Sequence, residues 1–411
     1  MNPGQEIIPH LFRTEYGRIV AVLCNRFDLD VMETAEDIAG ETFLAAAQTW
    51  PVKGIPANPT AWLYHVARNK TINWLRRKKY FDAEISTQWR LEQETSIPET
   101  DLSPENISDS QLRMMFSICN PSIPPETQIG LSLRILCGFG IGEIAEAFLT
   151  GKETINKRLL RGKQKLRECG LMTINGPMQI EQRLPAVLTT IYLLFNEGYY
   201  SAGGNEPIRK ECCHEAMHLC GILLGNPRTD LPAVNALMAL ICFHSSRLPA
   251  RLTEDGSLIL YDDQDTGLWD QALISRGAWY LRRSAAGDQV SRYHLEASIA
   301  WWSTRKEDSA EKWIQVLRLY DLLLEKAYSP AAMLDRIFVI SKIDGPQSAL
   351  EAIDDLPREF PRDHLYHMLM GELYRHIDTQ QARKHLQFAL TRSKNNSEQN
   401  LIRKKMEALN D

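Results

Sequence analysis

Two lysine- and arginine-rich helical segments, residues 61 to 79 and 141 to 167, constrain this chain more than any other feature. A helix that gathers cations on one face must leave that face to solvent or to a polyanion, so each segment can build a core on its other side only. Two such surfaces, joined by an acidic stretch, imply a bipartite DNA target.

The first segment sits in PTAWLYHVARNKTINWLRRKK, where Asn58 is placed to act as N-cap and Pro59 suits the first helical position, its missing N–H being no loss there. At 100° per residue Leu63, Val66, Ala67 and Trp74 share one stripe, and Arg68, Asn69, Arg76 and Lys79 gather opposite with Ile72. From Arg68 to Lys79 there are six Lys or Arg and no acid. Trp62 and Trp74 interleave with them, so phosphate attraction is combined with surfaces on which an unpaired base can stack. For this segment taken alone, a solvated cationic helix with core tryptophans is the alternative.

The second segment is sharper. Thr150-Gly151-Lys152-Glu153 has the spacing of a capping box, which places a helix start at Thr150. After it Ile155, Leu159, Gly162 and Leu166 form one stripe. Glu153, Lys157, Arg161 and Gln164 point away, with Thr154, Arg158 and Lys165 on their flank. Ahead of it, IGEIAEAFL reads as a short helix with Ile144, Ala145 and Phe148 inward, so the whole is helix, tight turn, recognition helix. Lys152 to Arg167 carries seven Lys or Arg against one Glu, an imbalance beyond that of an ordinary surface helix. Between the two segments, residues 81 to 110 hold eight acidic residues and one basic one, with Pro98 and Pro104, which is linker composition.

These residues carry a resemblance. METAEDIAGETFLAAAQTW, NPTAWLYHVARNKTINWLRRKK and PPETQIGLSLRILCGFGIGEIAEAFLTGKETINKRLLRGKQKL closely resemble regions 2 and 4 of bacterial extracytoplasmic-function (ECF) sigma factors, in order and at the expected separation, over residues 5 to 170. The resemblance implies core RNA polymerase and promoter DNA as partners, a minus-10 element melted by region 2 and a minus-35 element read by region 4. The acidic stretch between the two regions reads either as a tether that imitates nucleic acid and lies in a positively charged channel of a partner or as a solvated spacer, and charge alone does not decide. By the same resemblance Glu36, Asp37, Glu41, Thr42 and Phe43 match the polymerase-docking helix. Trp62, Arg68, Asn69, Lys70, Asn73, Arg76 and Arg77 match the minus-10 reader, with Asn73 where Asp is common. Thr154, Asn156, Lys157, Arg158 and Arg161 match the minus-35 helix, and Glu153 and Lys165 join them on its outward side. Gly162 stands where Ala is usual, which predicts a softer end to that helix, at about 1 kcal/mol.

The expected fold class is all-α and multidomain: a region 2 domain at 1–80, the acidic linker at 81–110, a region 4 helix-turn-helix domain at 111–172, and a larger helical domain at 180–411. From about residue 268 the last domain reads as consecutive helices of about 12 residues with short turns, a tetratricopeptide-like array. They are Trp269 to Arg283, Tyr293 to Trp302, Ala310 to Lys326, Pro330 to Lys342, Pro346 to Ile353, His364 to His376, Thr379 to Arg392 and a charged last helix. One short hairpin is expected near 251–262, where Asp255-Gly256 signals a turn. LPAVLTTIYLLFNEGYYS, ALICFHSSRLPARLTEDGSLILYDDQD and LWDQALISRGAWYL are similar to the ECF group in which such an extension takes over control otherwise exerted by an anti-sigma protein. A regulatory protein at this domain is the further partner implied.

No apolar run of membrane-spanning length and no secretory leader is visible in the sequence, so a cytoplasmic location without membrane contact is expected. The eight cysteines lie in helical stretches and read as reduced, small apolar residues. Cys212, Cys213, His214, His218 and Cys220 lack the spacing of a metal site, so neither a metal nor a cofactor is expected. Asp262, Asp263, Asp265 and Asp270 read as a polar loop capping the next helix. No P-loop, GxGxxG, HExxH or GxSxG occurs, and no catalytic residue is expected. A one-component helix-turn-helix regulator with a C-terminal ligand sensor is the competing reading; it leaves residues 33–79 without a purpose.

Overall fold

The structure is a computed structural model that describes residues 3–27, 32–85, 103–148, 150–170, 177–200, 210–251, 253, 258–393 and 396–409. All regular elements among the described residues are helical, and no strand is present. None of these helices is long and apolar enough to cross a membrane. The chain divides into two compact units, residues 1–190 and 191–411.

The first unit begins with α1 (Pro3–Phe27), α2 (Met32–Lys53) and α3 (Pro59–Ile85). α3 starts as its sequence dictates: Asn58 Oδ1 accepts from the Ala61 amide at 3.0 Å, and Pro59 follows at once. Leu63 and Ala67 are buried on its core side. α1 is packed on two fronts, against α2 and against α4 (Pro104–Ile118). Its Phe12 ring meets Tyr16 at 4.8 Å and Phe43 of α2 at 5.0 Å. Ser103 caps α4 by accepting from the Asn106 amide.

α5 (Pro125–Ile135), α6 (Ile141–Ala147) and α7 (Lys152–Cys169) complete the helix-turn-helix. The expected stripe of α7, Ile155, Leu159, Gly162 and Leu166, is buried. The capping box is not formed. Gly151, with φ −77° and ψ 146°, is the N-cap and has no side chain to offer, so Glu153 falls one position too early to close the box. Its carboxylate pairs instead with Lys157 at 2.7 Å. The end of α7 is also not interrupted at Gly162. A Cβ there would stand 2.4 Å from Thr127 Cγ2 and 3.0 Å from Leu131 Cδ1, so the glycine marks where α7 lies closest to α5.

α8 (Pro177–Tyr200) crosses the boundary between the units. In the second unit, α9 (Lys210–Gly225) and α10 (Pro232–Ser246) are packed together, with Cys212, Cys213, Cys220 and Cys242 buried among apolar neighbours. Burial pushes the Cys242 thiol up to about 12.

Of the hairpin expected near 251–262, most of the first arm lies outside the described residues, and no strand is present among the described ones. Ile259 N–H donates to the Arg251 carbonyl at 2.8 Å, and the chain then turns through short 3₁₀ segments at Tyr261–Asp263 and Thr266–Leu268. The Asp255-Gly256 turn lies outside the described residues. Asp265 accepts from the Gly267 amide, and Asp270 caps the following helix by accepting from Leu273, so this pair serves as caps.

The remaining helices are α11 (Gln271–Ser284), α12 (Arg292–Trp302), α13 (Ala310–Lys326), α14 (Pro330–Asp344), α15 (Pro346–Asp354), α16 (His364–Tyr374), α17 (Thr379–Arg392) and α18 (Asn396–Glu407). Each packs on the next along much of the array. Small residues set the closest contacts: Ala382 and Ala389 are fully buried, and a Cβ on Gly371 would meet Leu386 at 2.7 Å.

Candidate nucleic-acid interface

On α3 the residues expected to meet DNA differ in exposure and in the partners they have among the described residues. Asn73, Arg76 and Arg77 are exposed, and so is Asn69, which is hydrogen-bonded to His65 at 3.0 Å. Arg68 is half-buried. The half-buried Trp62 ring packs edge-on against Trp50 of α2, with centroids 5.4 Å apart, so one of its sides is already used for packing. Lys70 pairs with Glu41 of α2 at 2.6 Å.

On α7 Glu153, Thr154, Asn156, Lys157, Arg161 and Lys165 are exposed, a continuous polar and cationic face opposite the buried stripe. Lys165 pairs with Glu168 at 3.0 Å. Arg158 is held more firmly. Its guanidinium pairs with Glu126 of α5 at 3.0 Å and lies over the Phe148 ring, so it braces the turn between α6 and α7.

The residues expected to dock on polymerase are split by the packing of α2. Asp37 and Glu41 are exposed, whereas Thr42 and Phe43 are buried; the Thr42 hydroxyl donates to the Ile38 carbonyl at 2.7 Å. Glu36 is only 9% exposed. Lys163 of α7 pairs with it, and Arg134 of α5 stands 3.7 Å away. Glu33 pairs with Arg167 of α7, and Arg13 of α1 pairs with Glu143 of α6. Around these groups runs a cleft of about 600 Å³, lined by Tyr16, Glu33, Glu36, Asp37, Glu41 and Lys163 among others. Burial, helped by Glu36 and Asp37, raises the Tyr16 phenol far above its ordinary pKa, so it stays neutral.

Sequence reasoning missed Arg13, Glu33, Arg134, Glu143, Lys163 and Arg167. A signal did exist: Lys163 and Arg167 form one i, i+4 row, and Glu33, Glu36 and Asp37 form an acidic row at helical spacing.

Comparison with known proteins finds two family matches along the chain. Sigma-70 region 2 matches residues 11–80, and a family of unknown function (DUF6596) matches residues 183–285. The ECF RNA polymerase sigma factor SigW of Bacillus subtilis is 29% identical over 150 residues, 36% of this chain and 80% of that protein. The RNA polymerase sigma factor YlaC of the same organism is 30% identical over 166 residues, 40% of this chain and 92% of that protein. An uncharacterized protein of Rhizobium meliloti is 30% identical over 391 residues, 92% of this chain and 90% of its own length. The chain belongs to the ECF-type sigma factors with a C-terminal extension.

No solved structure matches this sigma factor. The SigW and YlaC matches cover 36% and 40% of it, whereas the Rhizobium relative runs nearly end to end, so the extension is shared with that relative. As an RNA polymerase sigma factor it serves transcription initiation.

Proposed function

We propose that α2 docks the chain on core RNA polymerase, that α3 opens the minus-10 element, and that α7 reads the minus-35 duplex. The observation that carries this reading is the pair of cationic faces, one flanked by tryptophans and one on a helix-turn-helix. Arg76 and Arg77 supply charge for a strand whose bases stack on Trp62. Lys157, Arg161, Thr154 and Asn156 reach phosphates and base edges in a major groove, while Arg158 orients the recognition helix. Glu36, Asp37 and Glu41 supply carboxylates for polymerase arginines, and Thr42 and Phe43 hold α2 in place for them. No residue of this chain performs chemistry; the polymerase does. The helical extension regulates activity through protein contact, a role supported by its size and by its packed helix array.

Run-off transcription with purified core enzyme and mapped promoters tests the reading. Promoter-dependent transcripts are expected with the full chain and lost with Lys157→Ala/Arg161→Ala. Complete absence of promoter-dependent transcript from chain that is folded and bound to core would sink it.

A further inference from the structure

The same carboxylate that is proposed to meet polymerase is already occupied from within. Glu36 is buried against Lys163, and Lys163 belongs to the helix proposed to read DNA. The contact is one of a set. Arg167 with Glu33, Arg134 beside Glu36, and Arg13 with Glu143 all join the region 2 helices to the region 4 helices. Between them the backbones touch: a Cβ on Gly17 of α1 would lie 2.0 Å from the Leu136 carbonyl oxygen and 2.9 Å from that of Ile135. Asn25 of α1 also donates to Ser110 of α4 at 3.0 Å.

This arrangement is incompatible with simultaneous promoter reading. Elements centred at minus 10 and minus 35 lie roughly 25 base pairs apart, about 85 Å along B-form DNA. A packed unit of this length is only about 40 Å across. The two DNA faces therefore cannot serve both elements until the region 2 and region 4 helices separate.

We infer that the sigma factor has a closed state in which Lys163 of α7 masks Glu36, the buried one of the acids proposed to dock α2 on polymerase, while Arg167 pins the neighbouring Glu33, so that core polymerase and α7 compete for Glu36. The inference rests on the docking role proposed for α2. Opening is an exchange of partners rather than a loss of them. Lys163 offers Glu36 a point charge, whereas an incoming arginine offers a planar bidentate fork, the stronger match to a carboxylate. The cleft beside Glu36 leaves the exposed Asp37 and Glu41 open to a first approach while the Lys163 contact still covers Glu36. Closure thus lowers apparent affinity for core by the fraction of molecules that are open.

The decisive experiment locks the closed state. Arg13→Cys and Glu143→Cys are combined with Cys169→Ser, which removes the exposed native thiol, and are joined by a short bismaleimide, with closure verified by mass spectrometry. Binding to purified core polymerase should fall about tenfold or more relative to the same variant before cross-linking. Gly17→Ala, which lengthens no side chain near DNA or polymerase, should raise binding and expand the first unit in small-angle scattering; Lys163→Ala/Arg167→Ala should act in the same direction. A locked chain that binds core as tightly as its uncross-linked form overturns the inference. If the uncross-linked chain does not bind core at all, the docking assignment of α2 fails instead. Closure is then judged by scattering alone, where a Gly17→Ala chain as compact as wild type overturns it.

Discussion

Replacing Gly162 by alanine sets two opposed effects against each other inside α7. In an isolated helix interior the change is favourable by about 0.8–1.0 kcal/mol. In this chain the new methyl would stand 2.4 Å from Thr127 Cγ2 and 3.0 Å from Leu131 Cδ1, where about 3.5–4.0 Å is comfortable. Both neighbours are buried, and the β-branched Thr127 has few rotamers to retreat into. Overpacking of this kind costs about 1–3 kcal/mol, so contact outweighs propensity and the expected net loss is about 1 kcal/mol. Amide hydrogen exchange resolves this locally in a chain with two compact units. Protected amides of α5 and α7 should exchange about fivefold faster in Gly162→Ala, with α11 to α18 unchanged. Slower exchange in α7 would refute the reasoning, because it would show that Thr127 yields and that helix propensity decides.

Three further outcomes are expected. Arg161→Ala should weaken binding to a minus-35 duplex by about 1–3 kcal/mol if it reaches a base edge; Lys157→Ala should weaken binding uniformly across sequences and reduce the salt slope by about 1. Filter binding at several salt concentrations separates the two, and an unchanged affinity for both variants would remove α7 from the interface. Arg76→Ala and Trp62→Ala should slow open-complex formation, read by permanganate reactivity, more than they weaken duplex binding; loss of a stacked base costs about 1–3 kcal/mol. The reverse order of effects would assign α3 to duplex contact. Finally, His367 of α16 is buried with its Nδ1 3.0 Å from Nδ1 of His385, and burial, then the charges of His385, Arg392 and Arg362, hold its pKa down to about 4 despite Asp363. The unfolded chain, with an ordinary histidine value near 6.5, binds more protons in this window, so stability is present above about pH 6.5 and is lost as pH falls toward 4. Between about pH 7 and pH 5 the loss is about 1–2 kcal/mol. His367→Gln should flatten the pH dependence of α16 and α17 exchange, and an equal slope in both proteins would contradict the assignment.

Much of this architecture was legible because its causes are local. Asn58 and Pro59 start α3 through one hydrogen bond and one fixed dihedral, both readable from two letters. The stripe Ile155, Leu159, Gly162 and Leu166 follows from helical spacing, and the bounds of α13 and α17 follow from Ser309 and Asp378 as caps and from the apolar period between. The failures have a different origin. Thr150 and Glu153 satisfy a pattern, but the helix begins one residue later, a choice made by the turn from α6. Gly162 looks like a weak point until α5, some thirty positions earlier, is known to lie against it. The 3₁₀ turns at Tyr261–Asp263 and Thr266–Leu268, where the Tyr261 and Trp269 rings lie 6.1 Å apart, carry no periodic signal that a sequence reading could use. The partners of Glu36 were hidden most deeply, because Lys163 is 127 positions away and spacing within one helix cannot say which other helix it will face.

α7 carries three rows of side chains at three bearings: one inward on α5, one outward, and one toward α2. Rows so separated behave as independent settings, since changes without shared partners add in free energy. On the roles proposed for α7, substitutions at Lys157 or Arg161 should retune the preferred promoter without disturbing the Lys163 contact, and substitutions at Lys163 or Arg167 should alter readiness for polymerase without rewriting the DNA preference. A laboratory lineage selected for new promoters should therefore accumulate changes on the outward row, and one selected for constitutive activity should change the row facing α2.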